Sequence, residues 1–283
     1  MESLEIVANQ MDTLLSTTLA IPCEIAHYIV VISALKKTWD AKKSRSQPMT
    51  TWAMTMLCCF GGTAVVNFLC GNPVLSSFTN NRSLLLASTI WWLTFYCPKA
   101  LFSSVTEWMP VSVVLLVMKE IIRTRKIQKG IALSRPIYPS SFILCSILGM
   151  IGACGGGFIK TGALVLASPW DKETIKTFSF STVTKTCLLF SVAYNLQIDG
   201  LLQTNFKIIA LCQASFLSAI VLSAKFGMPF NPYAAIEKLI CSIFVDYEAL
   251  SGGEVEPKEK SKSKEKKATS NVVEKSTKDK KKE

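Results

Sequence analysis

Charged residues are scarce in most of this sequence. They make up 18% of its 283 residues, whereas a soluble domain of this size usually has about a quarter. The shortage is sharper before Ser251, because the segment from Ser251 to the end holds eleven of the 31 basic residues and seven of the 20 acidic ones. The 20 basic and 13 acidic residues that remain are too few to cover a water-soluble surface. We therefore expect a membrane domain followed by a solvated tail.

Histidine is nearly absent as well, and the cysteines follow no metal-binding spacing. His27 is the only histidine, and the ten cysteines include no CxxC pair. Most of the cysteines lie in apolar runs, where a free cysteine behaves as a small hydrophobic residue. We therefore predict no metal site. The N-terminus also lacks the basic residues that begin a cleaved signal peptide, because Glu2 and Glu5 stand in their place.

No segment has the pattern of a hydrolase or of a nucleotide-binding loop. Residues 155–161 have the glycines, the lysine and the threonine of a phosphate-binding loop. However, no glycine precedes the lysine, and the segment is apolar. The sequence therefore predicts a protein that is not an enzyme, and we expect no nucleic-acid partner.

Long apolar runs fill most of residues 1–228. A helix needs about 20 mostly apolar residues to cross a bilayer. Seven segments approach that length: residues 13–35, 49–70, 79–97, 105–122, 141–167, 178–196 and 205–224. Little more than Pro98 and Lys99 separates the third from the fourth, which predicts a tight helical hairpin. The predicted fold is an all-α polytopic membrane protein with seven transmembrane helices.

Glycine clusters occur in the second and in the fifth of these segments. Gly61 and Gly62 lie in the second, and Gly155, Gly156 and Gly157 lie in the fifth. Each glycine costs a helix roughly 1 kcal/mol relative to alanine, and consecutive glycines free backbone groups that lipid cannot satisfy. We therefore expect a helix break at these positions that lines a path for a substrate or an ion. Close helix packing is the alternative, and it is the better explanation for the first cluster taken alone.

The place of the two clusters along the chain indicates a duplicated unit. Residues 13–97 and residues 105–196 would each form three helices with the break in the middle one, and residues 205–224 would add a seventh helix. Because each unit crosses the membrane an odd number of times, the two copies would have opposite orientations, as in an inverted repeat.

Basic residues predict the orientation of the chain in the membrane. Five of them lie between residues 36 and 45, after the first span, and the positive-inside rule places this loop in the cytosol. The lysine-rich tail follows six crossings later and would lie on the same side, so the N-terminus would face the lumen or the exterior. The basic cluster from Lys119 to Lys129 does not fit this order, because it follows the predicted fourth span and would face the opposite side.

Two residues of that cluster have the spacing of a phosphate site. Lys119 and Arg123 are one helical turn apart and could hold a phosphate between an ammonium group and a planar guanidinium. Basic pockets between membrane helices bind phosphoinositide or cardiolipin headgroups. A helix end whose long side chains extend to the membrane interface explains the same residues equally well.

Other ionisable residues lie inside the predicted spans. Lys160, with Thr161 beside it, follows the glycine triplet, and a lysine within a span usually faces a cavity or a partner. Glu24 and His27 are one turn apart in the first span, where an internal ion pair is the alternative to a role in the pore.

A family pattern runs through the sequence in several segments, in order. Two are the most specific: Lys119–Ile127, which reads Lys-Glu-Ile-Ile-Arg-Thr-Arg-Lys-Ile, and Lys160–Gly162. The others are Glu24–Tyr28, Gly71–Leu75, Asn80–Asn81, Leu85–Ser88 and Trp91–Pro98. In these segments the chain resembles the trimeric intracellular cation (TRIC) channels, and most of all their invertebrate, type-B-like members. The resemblance covers about residues 15–250.

The resemblance implies a homotrimer with seven helices per subunit and one pore inside each subunit, lined by bent second and fifth helices. It implies that Lys119 and Arg123 bind phosphatidylinositol 4,5-bisphosphate as a structural or regulatory lipid. It further implies a monovalent cation channel, chiefly for potassium, in the endoplasmic or sarcoplasmic reticulum membrane. Such a channel balances the charge moved during calcium release, is coupled functionally to calcium-release channels, and is modulated by voltage and lumenal calcium.

Two other functions remain open. Inverted repeats with broken helices also serve secondary transporters. A scaffold that binds phosphoinositide without conducting ions is the third possibility.

The end of the chain has two further predicted parts. Residues 229–250 have apolar residues at helical spacing that charged residues interrupt, which favours a helix lying in the membrane interface. Residues 251–283 are a lysine-rich tail with too few apolar residues to fold, and we expect this tail to be disordered.

Overall fold

The computed structural model of the chain describes residues 9–10, 13, 17–38, 46–167, 181–228 and 230–237, and within these ranges it contains helices and no strand. The α-helices are α1 Ala20–Thr38, α2 Pro48–Leu69, α3 Asn81–Tyr96, α4 Leu101–Glu107, α5 Met109–Ser134, α6 Phe142–Ala167, α7 Thr182–Ile198 and α8 Phe206–Lys225. The 3₁₀ turns Val74–Phe78 and Pro98–Ala100 precede α3 and α4. The predicted tail, most of the predicted interfacial helix and the basic residues at 42–45 lie outside the described residues.

Side-chain caps explain where three of the helices begin. Asn80 accepts hydrogen bonds from the backbone N–H groups of Arg82 (3.1 Å) and Ser83 (3.3 Å) at the start of α3. Ser181 caps α7 and Asn205 caps α8 in the same way. Each cap satisfies a backbone donor that the first turn of a helix leaves without a partner.

The fourth long helix differs most from its prediction. α5 begins at Met109 and ends at Ser134, whereas the apolar pattern predicted a span at residues 105–122. The basic cluster therefore lies inside a helix, and its predicted place in a loop after the fourth span is wrong. Its charged side chains face cavities within the bundle, so the helix does not end where the apolar run does. Because the positive-inside rule concerns loops, the conflict over orientation disappears.

The connection between α3 and α5 is wider than predicted. The turn Pro98–Ala100 leads into the short α4, which makes an angle of 104° with α3. A turn and a short helix thus stand in place of the predicted tight hairpin at Pro98.

Three of the described helices are long and apolar enough to cross a membrane: α2, the Phe142–Val165 part of α6, and α8. A fourth span is added if the bent pair α3 and α4 counts as one. The remaining long helices are either rich in charge, as α5 is, or short, as the 17-residue α7 is. The seven crossings and the two inverted repeats therefore stay predictions.

α2 and α6 cross in close contact at their glycines. A Cβ atom at Gly62 would collide with the carbonyl oxygen of Gly152, and one at Gly156 would collide with the carbonyl oxygen of Cys58. A Cβ atom at Gly155 would lie 2.5 Å from the Cα of Gly62. The two backbones therefore touch with no side chain between them.

Both helices continue without interruption through their glycine clusters. The predicted helix break at residues 61–62 and 155–157 is therefore wrong. The low helix propensity of glycine, roughly 1 kcal/mol per residue, is offset by the close packing that a missing side chain permits.

Polar contacts tie helix ends together at both ends of the bundle. At one end, Lys36 Nζ of α1 donates hydrogen bonds to the carbonyl oxygen of Thr94 in α3 (2.6 Å) and to Ser103 Oγ in α4 (2.9 Å). At the other end, the guanidinium of Arg135, just after α5, pairs with Asp199 at the end of α7. The C-terminal ends of α1 and α3 thus lie at one end of the bundle, and those of α5 and α7 lie at the other.

Candidate functional site

A cavity of about 330 Å³ lies among the long helices and contains both residues of the predicted phosphate site. Its charged lining comes from Lys119, Glu120, Arg123 and Lys126 of α5 and from Lys160 of α6. Residues of α1, α2, α7 and α8 complete the walls. We call this space the basic cavity.

Some of the predicted pore residues line the basic cavity and others do not. Those that line it are Gly62, Gly156, Gly157 and Lys160. Those that do not are Gly61 and Gly155, which lie at the contact of α2 with α6, and Thr161, which is half-buried in α6. The glycines thus shape the wall of the cavity and bring α6, with Lys160, close to α2.

The cationic residues of α5 converge because of their spacing. Lys119, Arg123 and Lys126 lie at positions i, i+4 and i+7, which form one face of a helix. On the neighbouring face, Ile127 and Ile131 are fully buried in the apolar core against α6, α7 and α8. The apolar face fixes the rotation of α5, and this rotation directs the charged face into the cavity.

The basic cavity carries more positive than negative charge. Glu120 is fully buried, and its Oε2 accepts a hydrogen bond of 2.5 Å from Arg123 Nη1. Within the described part of the chain, neither Lys119 nor Lys160 has a hydrogen-bond or ion-pair partner. Four basic side chains and one carboxylate give the described lining a charge of +3. Because cations that are buried without counter-charge are unfavourable, this site suits a ligand with several negative charges.

A second cavity, of about 450 Å³, lies among α1, the end of α2, the turn Val74–Phe78, the start of α3 and the later part of α5. Its lining is rich in hydroxyl groups and includes Glu24 and Lys129. Glu24 Oε1 accepts hydrogen bonds from Tyr28 OH (2.7 Å) and from Ser83 Oγ (2.5 Å), so its carboxylate joins α1 to α3. We call this space the polar cavity.

Lys126 is a site residue that the sequence prediction missed. Its Nζ donates hydrogen bonds to His27 Nε2 (2.7 Å) and to the carbonyl oxygen of Cys59 (3.2 Å). The spacing of Lys126 from Lys119 was a signal that could have identified it, because it places the two lysines on one helix face. Its contact with His27 joins residues 99 positions apart, and local sequence carries no signal for such a pair.

The sequence matches a known family over most of the described helices. The model of the family described as "TRIC channel" matches residues 38–226. The chain is 30% identical over 226 residues to trimeric intracellular cation channel type 1B.1 of Caenorhabditis elegans, covering 78% of this chain and 77% of that protein. It is 31% identical over 222 residues to trimeric intracellular cation channel type A of Danio rerio, covering 78% of this chain and 75% of that protein.

Solved structures agree with these matches. The structure of a trimeric intracellular cation channel from C. elegans without Ca²⁺ superposes with a TM-score of 0.71 at 25% identity, over 78% of this chain and 96% of the other. A structure described as the basis for the activity of TRIC counter-ion channels in calcium release gives a TM-score of 0.69 at 25% identity, over 78% of this chain and 98% of the other.

Proposed function

The chain belongs to the TRIC channel family, whose members are multi-pass membrane cation channels and not enzymes, and on this basis we propose that it conducts potassium. The flux would balance charge while calcium leaves the endoplasmic or sarcoplasmic reticulum, in functional coupling with calcium-release channels. The observation that carries this proposal is the family match over residues 38–226, which spans α2 to α8. Relatives named trimeric channels support a homotrimer, and we place one ion path in each subunit.

For the membrane arrangement, we propose seven crossings with the N-terminus in the lumen and the tail in the cytosol. The ties at Lys36 and at Arg135 support this order, because they gather alternate helix ends at opposite ends of the bundle. α2 and α6 would be the middle helices of two inverted three-helix repeats. Their direct crossing at the glycines is the contact expected when two such repeats meet at their centres.

For the basic cavity, we propose that it binds the headgroup of phosphatidylinositol 4,5-bisphosphate through Lys119 and Arg123. The charge of +3 favours a headgroup with several phosphate charges. Arg123 commits Nη1 to Glu120 and keeps its other N–H donors for a phosphate, and the Lys119 ammonium has three donors to offer. Glu120 would then orient the guanidinium toward the lipid.

Recording from the purified protein in planar bilayers tests the channel function. We expect discrete potassium currents that reverse at the potassium equilibrium potential. Strictly coupled flux without unitary steps would instead identify a secondary transporter. The complete absence of flux would identify a scaffold.

Binding to vesicles that contain phosphatidylinositol 4,5-bisphosphate tests the lipid site. Charged hydrogen bonds contribute about 1.5–3 kcal/mol each, so Lys119→Ala combined with Arg123→Ala should weaken binding at least about tenfold. The matched control is Lys281→Ala combined with Lys282→Ala, which removes the same charge from the tail. Equal losses in the two double variants would refute the site.

A further inference from the structure

One pair of side chains separates the basic cavity from the polar cavity. Among the described residues, His27 of α1 and Lys126 of α5 are the two that line both spaces. The hydrogen bonds of Lys126 to His27 and to the carbonyl oxygen of Cys59 hold its ammonium group where α1, α2 and α5 meet. A path through the bundle from one cavity to the other therefore passes this pair.

The chemistry of the contact fixes the position of the charge. A protonated lysine has donors and no acceptor, so His27 Nε2 accepts from Lys126 and the imidazole carries its proton on Nδ1. His27 is buried, with 8% of its surface exposed, and packs against Tyr28, so the ring is a firm support for the ammonium. The barrier between the two cavities is thus a tethered positive charge.

We propose that Lys126 and His27 form the barrier in the ion path and that the Lys126 ammonium selects between permeant cations by their valence. The inference rests on the proposed channel function. A cation that passes from one cavity to the other comes close to this ammonium, and the Coulomb repulsion is twice as large for a divalent cation as for a monovalent one. A potassium ion would pass when the lysine side chain swings aside, whereas calcium would be turned back.

The charge of the surroundings fits this role. On the side of the basic cavity, the lipid phosphates proposed above would neutralise Lys119 and Arg123. On the side of the polar cavity, the carboxylate of Glu24 faces the path and offers a passing cation a favourable partner. Lys126 is then the fixed cation at the narrowest place that neither counter-charge directly pairs.

The test compares permeability to calcium and potassium, from reversal potentials in planar bilayers, for Lys126→Gln, Lys126→Arg and the parent protein. We expect Lys126→Gln to raise the calcium-to-potassium permeability ratio at least about tenfold, because repulsion between charges a few ångströms apart in a protein exceeds 1.4 kcal/mol. Lys126→Arg keeps the charge and should keep the ratio of the parent. The matched control is Lys129→Gln, one turn further along α5, which removes a charge from the polar cavity alone and should leave the ratio within about twofold.

A parent that conducts together with a Lys126→Gln variant of unchanged ratio would overturn this inference and leave the proposed channel function standing. A parent that does not conduct overturns both. If Lys126→Gln does not yield a folded protein, His27→Leu decides the matter, since it removes the acceptor and keeps the charge. We expect larger potassium currents from His27→Leu at an unchanged permeability ratio, and currents equal to those of the parent would overturn the barrier.

Discussion

At the scale of single residues, neighbouring positions in α6 have different roles. Gly156 touches the backbone of α2, and a Cβ atom there would meet the carbonyl oxygen of Cys58. Gly157, the next residue, has no atom within 4 Å of the position that a Cβ would take. Lys160 lies one turn further and faces the basic cavity. Packing, free space and charge therefore follow one another within five residues.

The contrast between the two glycines predicts opposite effects of the same substitution. Gly156→Ala should lower the free energy of unfolding by about 1–3 kcal/mol, because the backbone of α2 must move to admit the methyl group. Gly157→Ala should leave it unchanged or raise it by up to about 1 kcal/mol through helix propensity. Thermal unfolding midpoints of the detergent-solubilised proteins measure both effects. Equal midpoints for the two variants would contradict the close crossing of α2 with α6.

At the scale of elements, α5 combines two surfaces that belong to different environments. Its apolar face packs into the core through Ile127 and Ile131, and its charged face lines both cavities. Just past its C-terminal end, the guanidinium of Arg135 donates hydrogen bonds to Asn195 Oδ1 (3.0 Å) and to the carbonyl oxygen of Pro139 (3.1 Å), besides its pairing with Asp199. This one side chain therefore fixes where α5 ends relative to α7.

Removal of the Arg135 guanidinium should loosen this end of the bundle. We expect Arg135→Met to lower the free energy of unfolding by about 2 kcal/mol, because Asn195 and Asp199 lose a charged donor. Arg82→Met, at an exposed position near the start of α3, is the control and should change it by less than about 0.5 kcal/mol. Thermal midpoints compare the two variants. A loss as large for Arg82 as for Arg135 would contradict the role of the tie.

α5 also shows how far the sequence predicts this fold and site. The apolar runs locate the helices well, since each of the seven predicted segments contains most or all of one long helix in the described part of the chain. The end of α5 was predicted twelve residues too early, because the charged residues after Ile122 were interpreted as facing water or lipid headgroups. They face interior cavities, and those cavities exist only once distant helices pack together. The contact of Lys126 with His27 was unpredictable for the same reason.

The glycine clusters are the reverse case. Their low helix propensity is a local property, and it predicted a break. The contact of Gly62 with Gly155 is a property of two helices together, and it keeps both helices intact. Lys119 and Arg123 were identified correctly as neighbours on one helix face, since spacing alone determines this.

At the scale of the whole molecule, the two cavities lie on opposite sides of the pair Lys126 and His27. The polar cavity is near the end of α2 and the start of α3, and the basic cavity is near the start of α2 and the later half of α6. In the orientation proposed above, the polar cavity lies toward the lumen and the basic cavity toward the cytosol. A phosphoinositide in the cytosolic leaflet would therefore reach the basic cavity directly.

This orientation predicts the outcome of protease protection in sealed microsomes. A tag at the C-terminal end of the lysine-rich tail should be digested by added protease, because the tail would face the cytosol. A tag at the N-terminus should be protected until detergent opens the vesicles. Digestion of the N-terminal tag in sealed vesicles, with protection of the other, would require the opposite orientation.

The crossing of α2 with α6 also has a consequence for inherited variation. Every amino acid other than glycine carries a Cβ atom, so no missense change at Gly62, Gly155 or Gly156 can be conservative. The smallest replacement, alanine, already brings an atom into contact with the opposite backbone. Individuals that carry such alleles should therefore show reduced amounts of this protein in the membrane, even though none of these codons encodes a charged or reactive group.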